Sequence, residues 1–386
     1  MAKVHLLEAS TTYGDAEADM VRYRAEGEQR AHALGNRGPL VLDEHGRPDP
    51  AVVEAYRRTG FYVFEGVLGP DELSDLERDL AEVLERAPAT KGSDVDRHGR
   101  PALGNDGTAR NFGFVRPLSD PLGGTGAAHG RHQVKMFEPE APQGAPDWVL
   151  QIVLGSLQYS EAHLRLYGHP GLLAFAEAVN GPDFTPFNEA IWIKHPGLGG
   201  SVAWHQDPWT HWDDPGLDGD THGFNFMAQL YGCTSANGLW VLPGSHRRGR
   251  VDIRSLVAAA GSDRIEGAVP LLCAPGDVAI TNRQCVHGSF ANTSADPRVT
   301  FNFGFHRRSS VLGVVSGGVH NATAVYDAER IRTRSEAIAY AIDARSQRYP
   351  QERRYPYAPF AGLEDRYRWA GDLSVLRDYN QLDLGI

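Results

Sequence analysis

The amino-acid sequence predicts a mainly β fold, a sandwich or jelly roll, with helices flanking it. Between Phe187 and His306, short β-rich runs such as NEAIWIKH, FNFMAQLY and RVTFNFGFH alternate with Gly/Pro turns. Apolar residues fall at helical spacing before this region, and a helical stretch follows it near Asp327–Arg348. A chain of 386 residues is also long enough to bury a substantial core.

The elements before the β-rich region are predicted in order along the chain. Residues 1–45 are polar without a clean period, so we expect an N-terminal extension. The alternating run GFYVFEGV at Gly60–Val67 predicts a strand. Pro70 then stands in the first turn of a predicted helix that ends near Arg86. Residues 87–147 are rich in Gly, Pro, Asp and His, which predicts a long loop of the kind that often forms a lid or binding surface.

Helices are also expected near Trp148–Leu166 and Pro170–Asn180. Residues 46–306 would then form one domain that contains the long loop. Residues 307–386 would be a helical C-terminal extension packed on the core.

Composition and charge exclude several classes of protein. The chain has 38 Lys and Arg against 49 Asp and Glu, a net charge of −11, which argues against nonspecific nucleic-acid binding. It shows no signal-peptide pattern and no apolar run near the ~20 residues that span a bilayer. Three cysteines are too few for a disulfide framework and favour a reducing, cytoplasmic location. We therefore expect a small-molecule partner, without nucleic acid or membrane, and the sequence carries no signal for an oligomeric state.

The segment WHQDP contains candidate metal ligands. His205 and Asp207 are two positions apart, so in an extended segment they point to the same face. His287 lies in a β-rich run eighty positions beyond Asp207. Two histidines and one carboxylate are the ligand set of non-haem Fe(II) oxygenases. A polar loop that leaves a strand would give the same His-x-Asp pattern by chance.

The strand after His287 supports the first interpretation. Arg298, Thr300 and Asn302 alternate with apolar residues, so one face of the strand is polar and the other apolar. A guanidinium beside a hydroxyl on one face suits a carboxylate ligand. A structural ion pair is the alternative.

These residues belong to a longer resemblance. The stretches GFYVFEGVLGPDEL, WIKHPGLGGSVAWHQD, NGLWVLPGSHRRG, PGDVAITNRQCVHGS and NTSADPRVTFNFGF cover most of Gly60–His306. In this order they resemble the phytanoyl-CoA dioxygenase-like branch of the Fe(II)/2-oxoglutarate-dependent oxygenases. The resemblance implies a double-stranded β-helix, a cupin-like jelly roll with its metal at one mouth.

The resemblance also implies roles for individual residues. His205, Asp207 and His287 match the catalytic iron triad. Arg298 matches the anchor for the distal carboxylate of 2-oxoglutarate, with Thr300 assisting.

Five further residues are assigned from strand faces and from position in the chain. Lys194 and Gln229 are the expected polar contacts of 2-oxoglutarate, although either could equally be a hydrogen-bonding residue of the barrel interior. Trp209 and Trp212 follow the ligand pair directly, where a substrate-facing loop would lie, or they cap the core. Asn225 shares a strand face with Gln229 and is a candidate substrate contact.

Two other kinds of residue receive a structural interpretation. His129 and His132 of the long loop, with Arg131 nearby, could meet an anionic group, but solvated loop side chains are the expected outcome. Cys285 is expected to be a cavity or core thiol rather than a nucleophile, because it has no relay of acid–base partners.

The implied reaction uses Fe(II), 2-oxoglutarate and O2 and releases succinate and CO2. Hydroxylation of an unactivated C–H bond of a small-molecule metabolite is the expected outcome, with secondary metabolism as its setting. The carboxylate at Asp207 favours oxygenation over halogenation, because halogenating relatives have Gly or Ala there. Desaturation, ring closure or epimerisation would use the same triad. The alternatives are an O2-independent cupin-like metal lyase or isomerase, and a non-catalytic ligand-binding jelly roll.

Overall fold

The structure, a computed structural model, describes residues 11–105, 111–207, 223–316 and 324–377. The helices in these ranges are α1 (Glu17–Leu34), α2 (Pro50–Thr59), α3 (Pro70–Arg86), α4 (Glu161–Tyr167), α5 (Pro170–Asn180), α6 (Ile253–Ala260), α7 (Arg308–Val311) and α8 (Ala328–Arg348). The strands are β1 (Arg37–Pro39), β2 (Phe61–Glu65), β3 (Phe112–Val115), β4 (Val149–Leu154), β5 (Thr185–Lys194), β6 (Val202–His205), β7 (Gly223–Gln229), β8 (Trp240–Val241), β9 (Val269–Pro270), β10 (Val278–Asn282), β11 (His287–Ser289), β12 (Arg298–His306), β13 (Val315–Ser316) and β14 (Ala324–Val325).

The strands form two main sheets. The larger sheet has eight strands in the order β1-β2-β10-β7-β12-β5-β4-β3, and only the β1–β2 pair is parallel. The smaller sheet has four strands in the order β6-β11-β8-β9. Strands adjacent in either sheet are often distant in sequence, which is the crossing pattern of a jelly roll rather than of a simple meander.

The two sheets pack against each other and are covered by helices on their outer faces. Phe61, Val63 and Met227 of the larger sheet form one buried cluster with Val241 and Val269 of the smaller sheet. Alternate residues of the large-sheet strands point the other way and pack against α2, α3, α4, α5 and α8. This cluster contains Phe64, Phe226 and Phe301 of the strands and Phe175 and Ile338 of the helices. The outer face of the smaller sheet is covered by α1 and α6, through Met20, Tyr23, Trp204, Trp240 and Ile253. The predicted mainly β jelly-roll fold with flanking helices is confirmed.

Strand β12 shows why the sequence pattern was informative. Val299, Phe301 and Phe303 are buried against the helices. Arg298 and Thr300 point to the opposite face, toward the space between the sheets. The predicted division of this strand into a polar and an apolar face is confirmed.

The N-terminal residues contain the eighteen-residue helix α1, in which Met20, Tyr23 and Gly27 are buried. One expectation about local structure needs correction. The helix expected near Trp148–Leu166 begins with strand β4 instead, and the α-helix there covers Glu161–Tyr167 after a 3-10 turn at Ser156–Gln158. A short apolar run such as VLQIVL fits a buried strand as well as a helix, and pairing with β3 and β5 decides the outcome.

The predicted loop 87–147 contains strand β3, which pairs with β4 at the edge of the larger sheet. Several other predicted elements agree with the structure. The strand at Gly60–Val67 is β2, the helix after Pro70 ends at Arg86, and the helix near Asp327–Arg348 is α8. The described helices include none that combines the length and the apolar character needed to cross a membrane.

Candidate metal centre

The three predicted metal ligands lie on, or directly after, two neighbouring strands of the smaller sheet. His205 is the last residue of β6, Asp207 follows two positions later, and His287 is the first residue of β11. His205 and His287 are register partners in this antiparallel pair. Side chains of directly opposite residues share one face of a sheet, so the strand pairing brings together ligands that are eighty positions apart.

The donor atoms of the three side chains converge. One ligand atom from each of His205, Asp207 and His287 lies within 4.8 Å of the other two, and all three residues are buried. The Oδ1 atom of Asp207 is 3.3 Å from Nε2 of His205 and 3.9 Å from Nε2 of His287. The triad can therefore hold one metal ion.

Backbone carbonyl groups fix the orientation of both imidazoles. Nδ1 of His205 is 2.8 Å from the Ala203 carbonyl oxygen, and Nδ1 of His287 is 2.8 Å from the Cys285 carbonyl oxygen. A carbonyl oxygen only accepts, so each Nδ1 carries the hydrogen and each Nε2 is left with the lone pair that binds a metal. Two such imidazoles and a carboxylate fit a divalent first-row ion such as Fe(II).

The charges around Asp207 favour the ligand form of the triad. Burial by itself would raise the pKa of Asp207, but the imidazoles of His287 and His205 and the guanidinium groups of Arg283 and Arg131 hold it well below its usual range. Burial, reinforced by the neighbouring His205, lowers the pKa of His287 to about 4. At neutral pH, Asp207 is thus a carboxylate and His287 a neutral imidazole, the forms that coordinate a metal.

Asn225 contacts the triad rather than standing apart from it. Its Nδ2 donates to Oδ2 of Asp207 at 3.0 Å, which leaves Oδ1 toward the two histidines. The backbone NH of Asp207 donates to the Arg283 carbonyl oxygen at 2.9 Å, and Nε of Arg283 lies 3.5 Å from Oδ2. Asp207 is therefore oriented by an amide, a backbone bond and a buried cation, and such supporting contacts commonly tune metal affinity.

A segment of the long loop also reaches the triad, which the sequence did not indicate. Arg131 Nη1 donates to the Asp207 backbone carbonyl oxygen at 2.6 Å. The neighbouring His132 is only 1% exposed, and its ring centroid lies 4.3 Å from that of His205. The expectation of a solvated side chain is wrong for His132, because the loop folds back onto the metal centre.

Specific contacts hold this segment in place. The Gln133 side-chain amide donates to the Val251 carbonyl oxygen at 3.0 Å and accepts from the Ile253 backbone NH at 3.1 Å. Just before Arg131, Ala128 and His129 have left-handed backbone angles, with φ of 49° and 57°. L-residues adopt this region at a cost, and such strain is concentrated at functional sites. The Gly-rich composition of the loop gave no periodic signal that could have located His132.

Arg298 is the centre of a second polar cluster, on the larger sheet. Its Nε donates to Thr300 Oγ1 at 2.9 Å, and Thr300 Oγ1 donates to Gln229 Oε1 at 2.8 Å. Its Nη1 donates to the Asn237 carbonyl oxygen at 3.1 Å. Within the described ranges, no carboxylate forms an ion pair with this guanidinium, although Arg298 is only 5% exposed. Burial lowers the pKa of Arg298, so an anionic ligand would compensate its desolvated charge.

Lys194 is a second buried cation next to Arg298. The two residues are register partners on β5 and β12. The Lys194 ammonium donates to the Phe290 carbonyl oxygen. Burial, together with the charge of Arg298, holds the pKa of Lys194 well below its usual range. The predicted cosubstrate residues Arg298, Thr300, Gln229 and Lys194 thus occupy one face of the larger sheet.

The remaining predicted residues fall into two groups. Trp209 and Trp212 lie outside the described residues. Cys285 is fully buried, with Sγ 3.2 Å from the Leu242 carbonyl oxygen and 3.3 Å from Ser245 Oγ. Burial raises the pKa of its thiol to about 11, which suits a core thiol and not a nucleophile.

Comparisons with known proteins agree with this site. The profile of the family "Phytanoyl-CoA dioxygenase (PhyH)" matches residues 151–300. "Phytanoyl-CoA dioxygenase 1" from Oryza sativa subsp. japonica is 33% identical over 111 residues, which represent 26% of this chain and 37% of the rice protein. The match therefore spans little more than a third of the length of this curated relative.

Several solved structures are similar to this chain in part. AviO1 from Streptomyces viridochromogenes Tue57 is 22% identical, with a TM-score of 0.45 over 69% of this chain and 96% of its own. EctD from S. alaskensis, solved with 2-oxoglutarate and 5-hydroxyectoine, is 20% identical, with a TM-score of 0.47 over 68% and 78%. SnoN, a non-heme alpha ketoglutarate dependent epimerase from nogalamycin biosynthesis, is 18% identical, with a TM-score of 0.44 over 67% and 84%.

The matched family region contains the three candidate metal ligands and the four predicted cosubstrate residues. His205, Asp207 and His287 fall within it, and so do Lys194, Gln229, Arg298 and Thr300. The resemblance predicted from the sequence is therefore confirmed over residues 151–300, the part of the chain that is similar to the phytanoyl-CoA dioxygenase family.

Proposed function

We propose that this protein is an Fe(II)- and 2-oxoglutarate-dependent dioxygenase that hydroxylates a C–H bond of a small-molecule metabolite. One observation carries the proposal: a His-Asp-His triad lies at the ends of two strands of one sheet, and a buried guanidinium lies on a strand of the other. Among the described residues, this guanidinium forms no ion pair with a carboxylate. A dicarboxylate cosubstrate needs both features, because one end binds the metal and the other needs a cation.

Different residues would bind the metal and the cosubstrate. His205, Asp207 and His287 would hold Fe(II), with Asn225 and the Ala203 and Cys285 carbonyl groups fixing the ligand orientations. Arg298 would receive the distal carboxylate of 2-oxoglutarate through its planar fork of donors. Thr300 and Gln229 hold this fork by hydrogen bonds.

Lys194 would add a second positive charge beside the same carboxylate. The charge of Arg298 disfavours the ammonium form of Lys194, so an anion between them would relieve this repulsion. The acidic net charge of −11 is compatible with an anionic cosubstrate, because the cations needed are local and buried.

When bound, the iron supplies the activation of O2 that couples decarboxylation of 2-oxoglutarate to substrate oxidation. The protein contributes position and exclusion of water, since the triad and Arg298 are all buried. The carboxylate of Asp207 fills the position that halogenating relatives leave open, which supports oxygenation. The segment with Arg131 and His132 is the proposed side from which substrate is positioned, because it packs directly on the triad.

Succinate release tests the proposal. Purified protein loaded anaerobically with Fe(II) should convert 2-oxoglutarate to succinate once O2 is admitted, faster with an accepted metabolite from a panel. His205→Ala, Asp207→Ala and His287→Ala should each abolish turnover and Fe(II) binding. His45→Ala is the matched control, because the side chain of His45 is 64% exposed.

The outcomes separate the alternatives. Succinate formation that persists in the triad variants would refute the metal assignment. Metal-dependent substrate conversion without O2 uptake would instead indicate a lyase or isomerase. Failure of the wild-type protein to bind Fe(II) would favour the remaining alternative, a non-catalytic jelly roll that binds a ligand.

A further inference from the structure

Two cysteines face each other beside the Arg298 cluster. Cys233 follows β7 and Cys273 precedes β10, and the two form an isolated antiparallel bridge. The Cys233 backbone NH donates to the Cys273 carbonyl oxygen at 2.9 Å, and the Cys273 NH donates to the Cys233 carbonyl oxygen at 3.1 Å. Both thiols are free and buried.

This pairing meets the Cα-distance condition for a disulfide. Opposite residues that exchange both backbone hydrogen bonds have Cα atoms about 5.5 Å apart. Disulfide-linked residues have Cα atoms roughly 4.4–6.8 Å apart, most often about 5.5–6 Å. The Cα separation typical of such a pair therefore lies within the range that a disulfide spans.

Glycine 232 is what allows this approach. Gly232 has a left-handed φ of 81°, and a Cβ at this position would lie 2.6 Å from the Cys273 carbonyl oxygen. Any larger residue would push the two segments apart. The turn that places Cys233 opposite Cys273 thus depends on a residue without a side chain.

The two thiols differ in acidity. A hydrogen bond from the Cys273 thiol lowers the pKa of Cys233; burial opposes this, and the Arg298 guanidinium adds to it. The same hydrogen bond, reinforced by burial, raises the pKa of Cys273 well above its usual value. The thiolate is the reactive form of cysteine, so Cys233 is the thiol that reacts first.

We propose that Cys233 and Cys273 are a redox modification site that forms a reversible disulfide when the protein meets hydrogen peroxide. The Cys233 thiolate attacks one peroxide oxygen, so an S–O bond forms, the O–O bond breaks, and the leaving hydroxide takes up a proton to become water. The Cys273 sulfur then attacks Cys233, so the S–S bond forms and the S–O bond breaks. The departing hydroxide takes the Cys273 proton. Two thiols lose two electrons in total, and one peroxide becomes two waters.

The pair is connected to Arg298 through a short turn. The Thr234 backbone NH donates to Asn237 Oδ1 at 2.9 Å, and the Gly238 NH donates to the Thr234 carbonyl oxygen at 2.8 Å. The Asn237 carbonyl oxygen, in turn, accepts from Arg298 Nη1. A disulfide replaces the Cys233 thiol, which donates to the Leu271 carbonyl oxygen at 3.0 Å, and constrains the start of this turn. We therefore infer that oxidation weakens the binding of 2-oxoglutarate at Arg298. This coupling rests on the proposed function, whereas disulfide formation does not.

The first test is chemical and needs no activity. The full-length protein is treated with hydrogen peroxide, its remaining thiols are alkylated, and a non-reducing digest is mapped by mass spectrometry. We expect a cross-linked peptide pair that contains Cys233 and Cys273, with Cys285 alkylated after denaturation, and dithiothreitol should restore three thiols. The matched control Cys285→Ser should give the same cross-link, whereas Cys233→Ser and Cys273→Ser should give none.

Two outcomes would overturn the proposal: cross-links that involve Cys285, or oxidation of Cys233 to higher acids without a cross-link to Cys273. The coupling is tested by binding of 2-oxoglutarate to the anaerobic Fe(II) protein, by titration calorimetry. Oxidised protein should bind roughly two- to thirtyfold more weakly than reduced protein, the range typical of coupling between neighbouring sites. An unchanged affinity in disulfide-linked protein would refute the coupling, and absence of 2-oxoglutarate binding by reduced protein would refute the proposed function instead.

Discussion

The imidazole ring of His132 packs against that of the metal-ligand candidate His205, with the ring centroids 4.3 Å apart. Nδ1 of His132 is buried and has no hydrogen-bond partner in the part of the chain that the structure describes. Buried polar groups normally have partners, and exceptions are common where a ligand completes the site. His132 therefore packs beside the triad but, among the described hydrogen bonds, donates none to its ligands. Asn225, by contrast, donates a hydrogen bond to Asp207.

This difference predicts distinct effects on metal binding. Asn225→Ala should weaken Fe(II) binding by about 10- to 100-fold, because it removes a hydrogen bond to a ligand. His132→Ala should weaken Fe(II) binding by less than about tenfold, and it should instead lower the rate of substrate-stimulated succinate release. Anaerobic calorimetry with Fe(II) measures the first effect. A loss of Fe(II) binding in His132→Ala as large as in His205→Ala would show that His132 is itself a ligand.

Arg298 should control the affinity for 2-oxoglutarate without affecting the metal. Removing one partner of a buried charged hydrogen-bonded pair costs about 2–5 kcal/mol, so Arg298→Ala should raise the Kd of 2-oxoglutarate by roughly 30-fold or more. Fe(II) affinity should stay within about threefold of wild type, because Arg298 lies on the other sheet. Arg247→Ala, at an exposed position, is the matched control. Equal cosubstrate affinity in Arg298→Ala and Arg247→Ala would exclude Arg298 as the anchor.

The stability of the fold should fall in mild acid because of His163. This residue is fully buried in α4, its Nδ1 lies 3.0 Å from Ser156 Oγ, and burial lowers its pKa to about 3. The unfolded chain binds the proton below the ordinary value of 6.5, whereas the folded chain does not. The His163 contribution is thus fully present above pH 6.5 and is lost as the pH falls toward about 3, at up to about 1.4 kcal/mol per pH unit.

Two variants isolate this effect in urea denaturation at several pH values. His163→Asn cannot take up the proton, so its free energy of unfolding should depend less on pH than that of the wild type between pH 6.5 and 4, a window set by the two pKa values. Ser156→Ala removes the hydrogen bond but leaves the imidazole, so it should lower stability and keep the wild-type slope. An identical slope in His163→Asn and wild type would show that His163 is not the group responsible.

Helix α1 should tolerate no side chain at Gly27. A Cβ there would lie 2.4 Å from Cη2 of the buried Trp240 and 3.2 Å from Cδ of Pro270. Gly→Ala in a helix interior normally stabilises by roughly 0.5–1 kcal/mol. Here we expect Gly27→Ala to destabilise by about 1–3 kcal/mol, because overpacking must displace α1 or the indole.

The matched control for Gly27 is a change at an exposed position of the same helix. Ala25→Gly should cost only the helix-propensity difference, about 0.5–1 kcal/mol. Thermal unfolding of both variants measures the two effects. A stabilised Gly27→Ala protein would mean that α1 does not pack against Trp240 as described.

The sequence by itself predicted those features that depend on local periodicity and on a known pattern of residues. The two faces of β12 follow from the two-residue repeat of a strand, so the common direction of Arg298 and Thr300 was predictable. The His-x-Asp pair at His205 and Asp207 was visible for the same reason. His287 was proposed from its place in a β-rich run, and the resemblance then matched it to the triad, because no spacing rule connects it to the pair.

Only the tertiary structure decided what lies around these residues. The pairing of β6 with β11 sets His205 opposite His287, and the folding of the long loop sets Arg131 and His132 on the triad. Cys233 and Cys273 meet for the same kind of reason, across forty residues. Contacts between distant segments leave no periodic trace in sequence, because they depend on strand order and loop packing rather than on neighbours along the chain.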